Sequence, residues 1–221
     1  MRLFAVVVTV GLLAAGCDER SPLAPTAVPA VASLPGARTS DIVHIPFFVQ
    51  DAAGGAPSAP STPLFEVRKH NAVIAPTGRQ ITLAEFAAVE GTASVQCLAS
   101  GTQVSLQLRN LIPSGVYTIW NVVFKAPGFD PTFANLTGLG AAGGAGGTQN
   151  VIRASAGGEG SLTVTTSAGP LSAQGSIGAC ALTDEFEWHV VGAYHIDGQS
   201  HGPTPGPDGT AVEQFGFIFK R

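Results

Sequence analysis

The amino-acid sequence predicts an all-β domain, an antiparallel β-sandwich-like fold of about nine short strands with one short helix. Three observations lead to this prediction. Short runs rich in β-branched and aromatic residues recur along the chain, most of them separated by turn residues. Glycine and proline are abundant, with 28 and 16 copies among 221 residues. Only one segment carries a clear signal for the start of a helix, and many short strands joined by turns are typical of sandwiches and barrels.

The strands are assigned from residue type and from period-two alternation. In the segment 104–109, Val104, Leu106 and Leu108 alternate with polar residues, so their side chains are expected to face the core. The nine predicted strands cover residues 41–50, 92–97, 104–109, 116–124, 150–154, 161–166, 171–177, 186–196 and 211–219.

Two turns predict hairpins. The sequence Ile-Pro-Ser-Gly precedes strand 116–124 and predicts that this strand pairs with 104–109. The Gly-rich sequence at 157–160 predicts a second hairpin, between strands 150–154 and 161–166.

The helix signal is a capping box at Thr82-Leu-Ala-Glu85. In this motif the threonine hydroxyl accepts a hydrogen bond from the Glu85 amide, and the Glu85 carboxylate accepts one from the Thr82 amide. Gly91 follows about two turns later as a residue that ends helices. The sequence therefore predicts a short helix near residues 83–90.

Strand 186–196 alternates in the same way, and its two faces differ. One face carries Phe186, Trp188, Val190, Gly192, Tyr194 and Ile196, and the other carries Glu187, His189, Val191, Ala193 and His195. We expect Trp188 to lie in the core and His195 to point outward, as a surface histidine or one that stabilises a turn.

Charged residues make up only 12% of the chain, and the net charge is −4. A typical globular domain has about 25% charged residues. The sequence offers no basic surface for a polyanion, so the composition excludes nucleic acid as a partner.

The first 17 residues, MRLFAVVVTVGLLAAGC, are organised like an export signal. Arg2 precedes an apolar run that is much shorter than the roughly 20 residues of a membrane-spanning helix. The sequence LLAAGC, ending at Cys17, resembles the lipobox of bacterial lipoproteins, although Ala14 stands where leucine is most frequent. An ordinary cleaved signal peptide, with Cys17 as a spare thiol, is the alternative.

The resemblance implies that residues 1–16 are removed and that Cys17 is acylated, which would attach the protein to a membrane of the bacterial cell envelope. Whether that membrane is the inner or the outer one stays open. Residues 17–40 are rich in Pro and Ala and are expected to form a flexible tether. Residues 41–221 would then form a single β-sandwich-like domain.

Two further cysteines, Cys97 and Cys180, remain once Cys17 is assigned to the lipid. In an oxidising envelope compartment an even pair of cysteines is most simply a disulfide. Two buried free thiols are the alternative.

His189, His195 and His201 recur at intervals of six residues. Six residues of strand span about 20 Å, whereas the ligands of one zinc ion lie about 2 Å from it, so His189 and His195 cannot share an ion on an unbroken strand. A two-residue turn at 197–198 would pair His195 with Ser200. A three-residue loop would instead place His195 about 5 Å from His201.

A metal site at His195 and His201 would need a third ligand, and Glu213 and Asp208 are the carboxylates nearby in sequence.

Phe129 and Phe133 lie on a proline-framed loop, either as exposed contact groups or folded back over one end of the core.

We expect a non-catalytic envelope lipoprotein whose domain binds or scaffolds an unidentified protein or small-molecule ligand, without a resident cofactor. The alternative is a metal-binding protein or metal-dependent enzyme that uses His195, His201 and a nearby carboxylate. The sequence G-x-G-x-x-G at 138–143 is compositional, because further glycines follow it where a nucleotide-binding site needs a helix.

Overall fold

A computed structural model describes residues 38–45, 48–178, 180 and 186–220. The one helix, α1, spans Leu83–Ala87. The strands of three or more residues are β1 Arg38–Asp41, β5 Glu90–Leu98, β6 Gly101–Arg109, β7 Val116–Lys125, β8 Leu136–Ala141, β9 Val151–Arg153, β10 Gly160–Thr166, β13 Phe186–His195 and β14 Ala211–Phe219. The two-residue strands are β2 Val43–His44, β3 Val49–Gln50, β4 Phe65–Glu66, β11 Gly169–Pro170 and β12 Ser176–Ile177.

Two antiparallel sheets make up the body of this fold. One has four strands in the order β1-β5-β6-β10, and the other has the order β2-β14-β13-β7-β8, with β9 also paired to β7. The main apolar core contains side chains from both sheets, which confirms the predicted sandwich. No helix in the described part of the chain is long and apolar enough to cross a membrane.

The alternation seen in the sequence positions the core. Val104, Leu106 and Leu108 of β6 are buried, as predicted. On β13, Trp188 and Val190 are fully buried in the same core. In the following, the inner face of the six-stranded sheet is the one that carries these core residues, and the outer face is its opposite side.

Both hydrogen bonds of the predicted capping box are present. The Thr82 hydroxyl accepts from the Glu85 amide at 3.4 Å, and the Glu85 carboxylate accepts from the Thr82 amide at 3.0 Å. The helix is shorter than predicted and ends at Ala87, because the chain enters strand β5 at Glu90.

Both predicted hairpins are wrong. Strand β6 pairs with β5 and β10, whereas β7 pairs with β8, β9 and β13, so the turn between β6 and β7 carries the chain from one sheet to the other. All residues of β7 before Lys125 are buried. This burial is typical of a strand in the middle of a sheet that is covered on both faces. The tight turn after β9 is present, but β9 and β10 belong to different sheets and do not pair with each other.

Four segments differ from the prediction. The predicted strand 171–177 is instead the loop and second strand of a hairpin in which β11 pairs with β12. The predicted strand 41–50 is divided among β1, β2 and β3, and the glycine-containing strand β8 was not anticipated. Residues 38–40, assigned to the tether, lie in β1, where they pair with Val95, Ser94 and Ala93 of β5.

The disulfide between Cys97 and Cys180 is present and confirms the predicted pair. It joins the end of β5 to the segment that precedes β13, across 83 positions of sequence. The cross-link therefore closes a loop that contains β6 and β10 of one sheet and β7, β8 and β9 of the other.

One polar contact lies inside the core between the two sheets. The side-chain amide of Asn121 on β7 donates to the Thr166 hydroxyl on β10 at 3.0 Å. The same hydroxyl oxygen accepts from the Gly143 amide at 2.8 Å. Asn121 is fully buried and Thr166 nearly so.

Candidate functional site

The outer face of the six-stranded sheet is apolar at its centre. A second cluster of buried side chains covers it, formed by Trp120, Val122, Phe124, Ala141, Val191 and Ala193. A sandwich usually turns polar residues outward from its sheets. This face is therefore the unusual surface of the domain.

A cleft of about 140 Å³ lies on this face. Its floor includes Trp120, Val191 and Ala193, and the loop that precedes β14 forms one wall with residues 205–207 and Gly209. The carboxylate of Glu213 lines it as well. We call this feature the Glu213 cleft.

A β-bulge in β14 turns Glu213 into the cleft. Gly192 of β13 pairs with Phe215, but Ala193 pairs with Glu213, so Gln214 is an extra residue in the ladder. Phe215 faces the core, and without the extra residue the alternation would turn Glu213 inward too.

Burial raises the pKa of Glu213 from its ordinary value of 4.5 to about 7, and the nearby positive charge of Arg68 acts in the opposite direction. The Glu213 carboxylate has no hydrogen bond and no ion pair with any described residue. Arg68 instead forms an ion pair with Asp208 at 2.7 Å. The cleft thus holds a carboxyl group that exchanges its proton near neutral pH.

His195 lies at one end of the same outer face, and the prediction that it points outward to solvent is wrong. Only 1% of its surface is exposed, because the outer face is covered there. Its Nε2 lies 2.8 Å from the Thr118 hydroxyl, which also accepts a hydrogen bond from Trp120 Nε1 at 2.8 Å. Burial lowers the pKa of His195 to about 4, so the imidazole is neutral at pH 7.

Neither predicted turn joins His195 to His201. His195 pairs with Ala211 of β14, and residues 197–209 form a long loop. The loop nevertheless folds back, so that the centroids of the two imidazole rings lie 5.7 Å apart. Asp197 Oδ2 lies 2.8 Å from His201 Nε2.

The structure therefore brings His195 and His201 together, but with a different carboxylate from those considered. Asp197, His195 and His201 each offer a potential ligand atom within 4.8 Å of the other two. We call these three residues the histidine cluster. Glu213 lies in the cleft instead, and Asp208 is engaged with Arg68.

Phe129 and Phe133 lie at the opposite end of the outer face. Both rings pack on Phe124, with centroid distances of 5.3 and 6.2 Å, and they remain 42% and 41% exposed. His189 packs on Phe124 too and lies 2.6 Å from the Glu187 carboxylate. The two phenylalanines thus cover part of the outer cluster, not the core between the sheets.

Cys17, the predicted site of lipid attachment, lies outside the described residues. The sequence matches no family model, and comparisons with curated proteins and with solved structures find no match either.

The covered outer face was missed at the sequence level, although it left a signal. Val122 and Val123 are adjacent on β7, as are Val190 and Val191 on β13. Consecutive β-branched residues in a strand indicate burial on both faces.

Proposed function

We propose that the protein is a lipoprotein anchored to the bacterial cell envelope through Cys17, and that its β-sandwich domain binds a small ligand without catalysing a reaction. The N-terminal sequence supports the anchor. The Cys97–Cys180 disulfide supports export, because disulfides persist in oxidising compartments.

The observation that carries the binding proposal is the unpaired carboxyl group of Glu213 in a mostly apolar cleft, which Glu66 and Arg68 also line. A partly buried carboxyl group loses hydration, and a hydrogen-bond donor on a ligand would replace the lost contacts. A cavity of about 150 Å³ holds a molecule the size of benzene. We therefore infer a ligand with a small apolar body and a donor group at one end, preferably an amine.

Trp120 on the cleft floor favours the same ligand class. The face of an indole ring attracts cations, and an ammonium group would also pair with ionised Glu213. Binding of an amine would therefore stabilise the ionised form and lower the pKa of Glu213.

Benzylamine and its neutral analogue benzyl alcohol are suitable probes for an NMR titration of the full chain. We expect benzylamine to shift the amide signal of Ala193 and the indole signal of Trp120 in a saturable way, and benzyl alcohol to bind at least several-fold more weakly. Glu213→Gln should remove the preference for the amine. Absence of saturable shifts, or an unchanged preference in the variant, contradicts the proposed cleft function.

The anchor is tested separately by metabolic labelling with a fatty acid. We expect label in the parent and none in Cys17→Ser, which should leave the membrane fraction, because serine cannot form the thioether. Label that persists in the variant would refute the lipobox assignment.

A further inference from the structure

We propose that the histidine cluster, His195, Asp197 and His201, binds a divalent transition-metal ion, with Zn²⁺ as the best fit. Two imidazoles and one carboxylate form a ligand set that zinc accepts, with a fourth position left for water or a ligand. This inference goes beyond the proposed cleft function and does not depend on it.

The first support is an unpaired nitrogen. His195 Nδ1 is buried and has no hydrogen-bond partner within the part of the chain that the structure describes. A buried nitrogen left unpaired destabilises the folded protein. A metal ion would satisfy it, because neutral imidazole nitrogen is a strong ligand for zinc.

The second support is the hydrogen bond on the other side of the same ring. A metal-binding histidine usually donates its second nitrogen to a fixed acceptor, which orients the ring. Thr118 Oγ1 lies 2.8 Å from His195 Nε2 and is itself held by the Trp120 indole. A hydroxyl oxygen accepts two hydrogen bonds, so Nε2–H can donate to it and leave the Nδ1 lone pair for the ion.

The third support is the position of the other two side chains. Asp197 and His201 belong to the loop after β13, and their polar atoms already lie 2.8 Å apart. Gly206 leaves room for the His201 ring, because a Cβ atom at this position would overlap it.

The distances require only a small closure. Ligand atoms about 2 Å from a tetrahedral zinc ion lie roughly 3.3 Å from each other, and the three side chains here lie within 4.8 Å. His195 is fixed by its strand, so Asp197 and His201 on the loop would supply the movement. The same loop continues into the wall of the Glu213 cleft, so the ion would tie that wall to the end of β13.

The test is a calorimetric titration of the full chain with Zn²⁺, with Cys17→Ser as a common background so that a free thiol adds no ligand. We expect one equivalent to bind. His201→Ala and Asp197→Asn should each weaken binding at least tenfold, and both residues lie on the loop, where substitution leaves the core intact. Thr118→Val should weaken it by about tenfold through loss of the acceptor. Co²⁺ should give the visible absorption of a four-coordinate ion in the parent and not in His201→Ala.

His189→Ala is the matched control, because His189 lies on the same strand and face and also contacts a carboxylate. It should bind Zn²⁺ like the parent, and so should Glu213→Gln, which separates this site from the cleft. The proposal is overturned if no saturable binding occurs, if His201→Ala binds like the parent, or if His189→Ala loses binding equally.

Discussion

The two faces of the six-stranded sheet are both apolar at their centres, but they differ in the polar groups around that centre. On the inner face of β13, Trp188 and Val190 continue into a core shared with the other sheet. On the outer face, the smaller cluster is bordered by His195 at one end, Glu213 at the side and His189 at the other end. The inner face stabilises the fold, whereas the outer face combines apolar surface with titratable groups.

This difference follows from what covers each face. A second sheet covers the inner face and brings its own regular alternation of apolar side chains. Loops cover the outer face, among them residues 205–207, and loops leave gaps between a few packed groups. The cleft and the histidine cluster both lie in the region that loops cover.

The largest expected effect compares one tryptophan from each face. Trp188→Ala should lower the free energy of unfolding by about 3 to 5 kcal/mol, because its ring is fully buried between the sheets. Trp120→Ala should cost less than Trp188→Ala, because one side of its ring borders the cleft. Urea denaturation of both variants measures the difference, and equal losses of stability would contradict the different roles of the two faces.

Gly192 on β13 pairs with Phe215 on β14, and Gly216 is the next residue along β14. These two glycines give a second test. A Cβ atom on Gly192 would overlap the Phe215 ring in the core, so Gly192→Ala should cost about 2 to 3 kcal/mol. The atom nearest to a Cβ on Gly216 would be the flexible end of Ile45, at 3.2 Å, and the next atoms lie at an ordinary contact distance of 3.8 Å. Gly216→Ala should therefore change the thermal midpoint little, and a midpoint as low as that of Gly192→Ala would contradict this account.

Within the histidine cluster, His195 is buried and His201 is partly exposed, so their substitution should affect stability differently. In the presence of chelator, His195→Ala should cost about 1 to 2 kcal/mol, because it removes a buried ring and its contact with Thr118. His201→Ala should cost less than about 1 kcal/mol, since its ring is partly exposed on a loop. Guanidinium melts at pH 7 decide the order, and the reverse order would refute the burial of His195.

The smallest expected effect is the pH dependence that Glu213 contributes. Its pKa is raised in the folded state, so the folded protein keeps a proton that the unfolded chain loses. The contribution of Glu213 to stability should therefore fall as the pH rises from about 4.5 to 7 and then level off. It is measured as the difference in stability between the parent and Glu213→Gln, because His195, whose pKa burial lowers, titrates in both proteins.

The two proteins should be about equally stable near pH 4.5, and the variant should be more stable by about 1 kcal/mol at pH 8, because part of the carboxyl group still contacts water. Thermal melts across this range measure the difference. A constant difference at all pH values would mean that the carboxyl group titrates normally.

Sequence patterns predicted what depends on neighbouring residues. The capping box at Thr82 and Glu85, the alternation of β6 and the inward position of Trp188 all follow from local geometry and are confirmed. Strand pairing was predicted less well. The turn after β6 reverses the chain, but turn chemistry does not determine which sheet receives the next strand.

The site was harder to predict for a related reason. Alternation assigned His195 to the correct face of β13 but contained no information about what covers that face. The bulge at Gln214 reverses the orientation of Glu213, and a single extra residue leaves no clear mark in the sequence. Asp197 joined the two histidines only because a long loop folds back, which a prediction based on a tight turn could not include.

The hydrogen bond between Asn121 and Thr166 has a consequence for how the two sheets are aligned. Apolar side chains attract one another without strong directional preference, so the sheets could slide against each other at modest cost in the core alone. Sliding by one residue pair would separate the amide from the hydroxyl and leave both without a partner, at about 1 to 3 kcal/mol for each group. This polar contact therefore favours the observed alignment of the sandwich, and with it the position of β7 beneath the outer face.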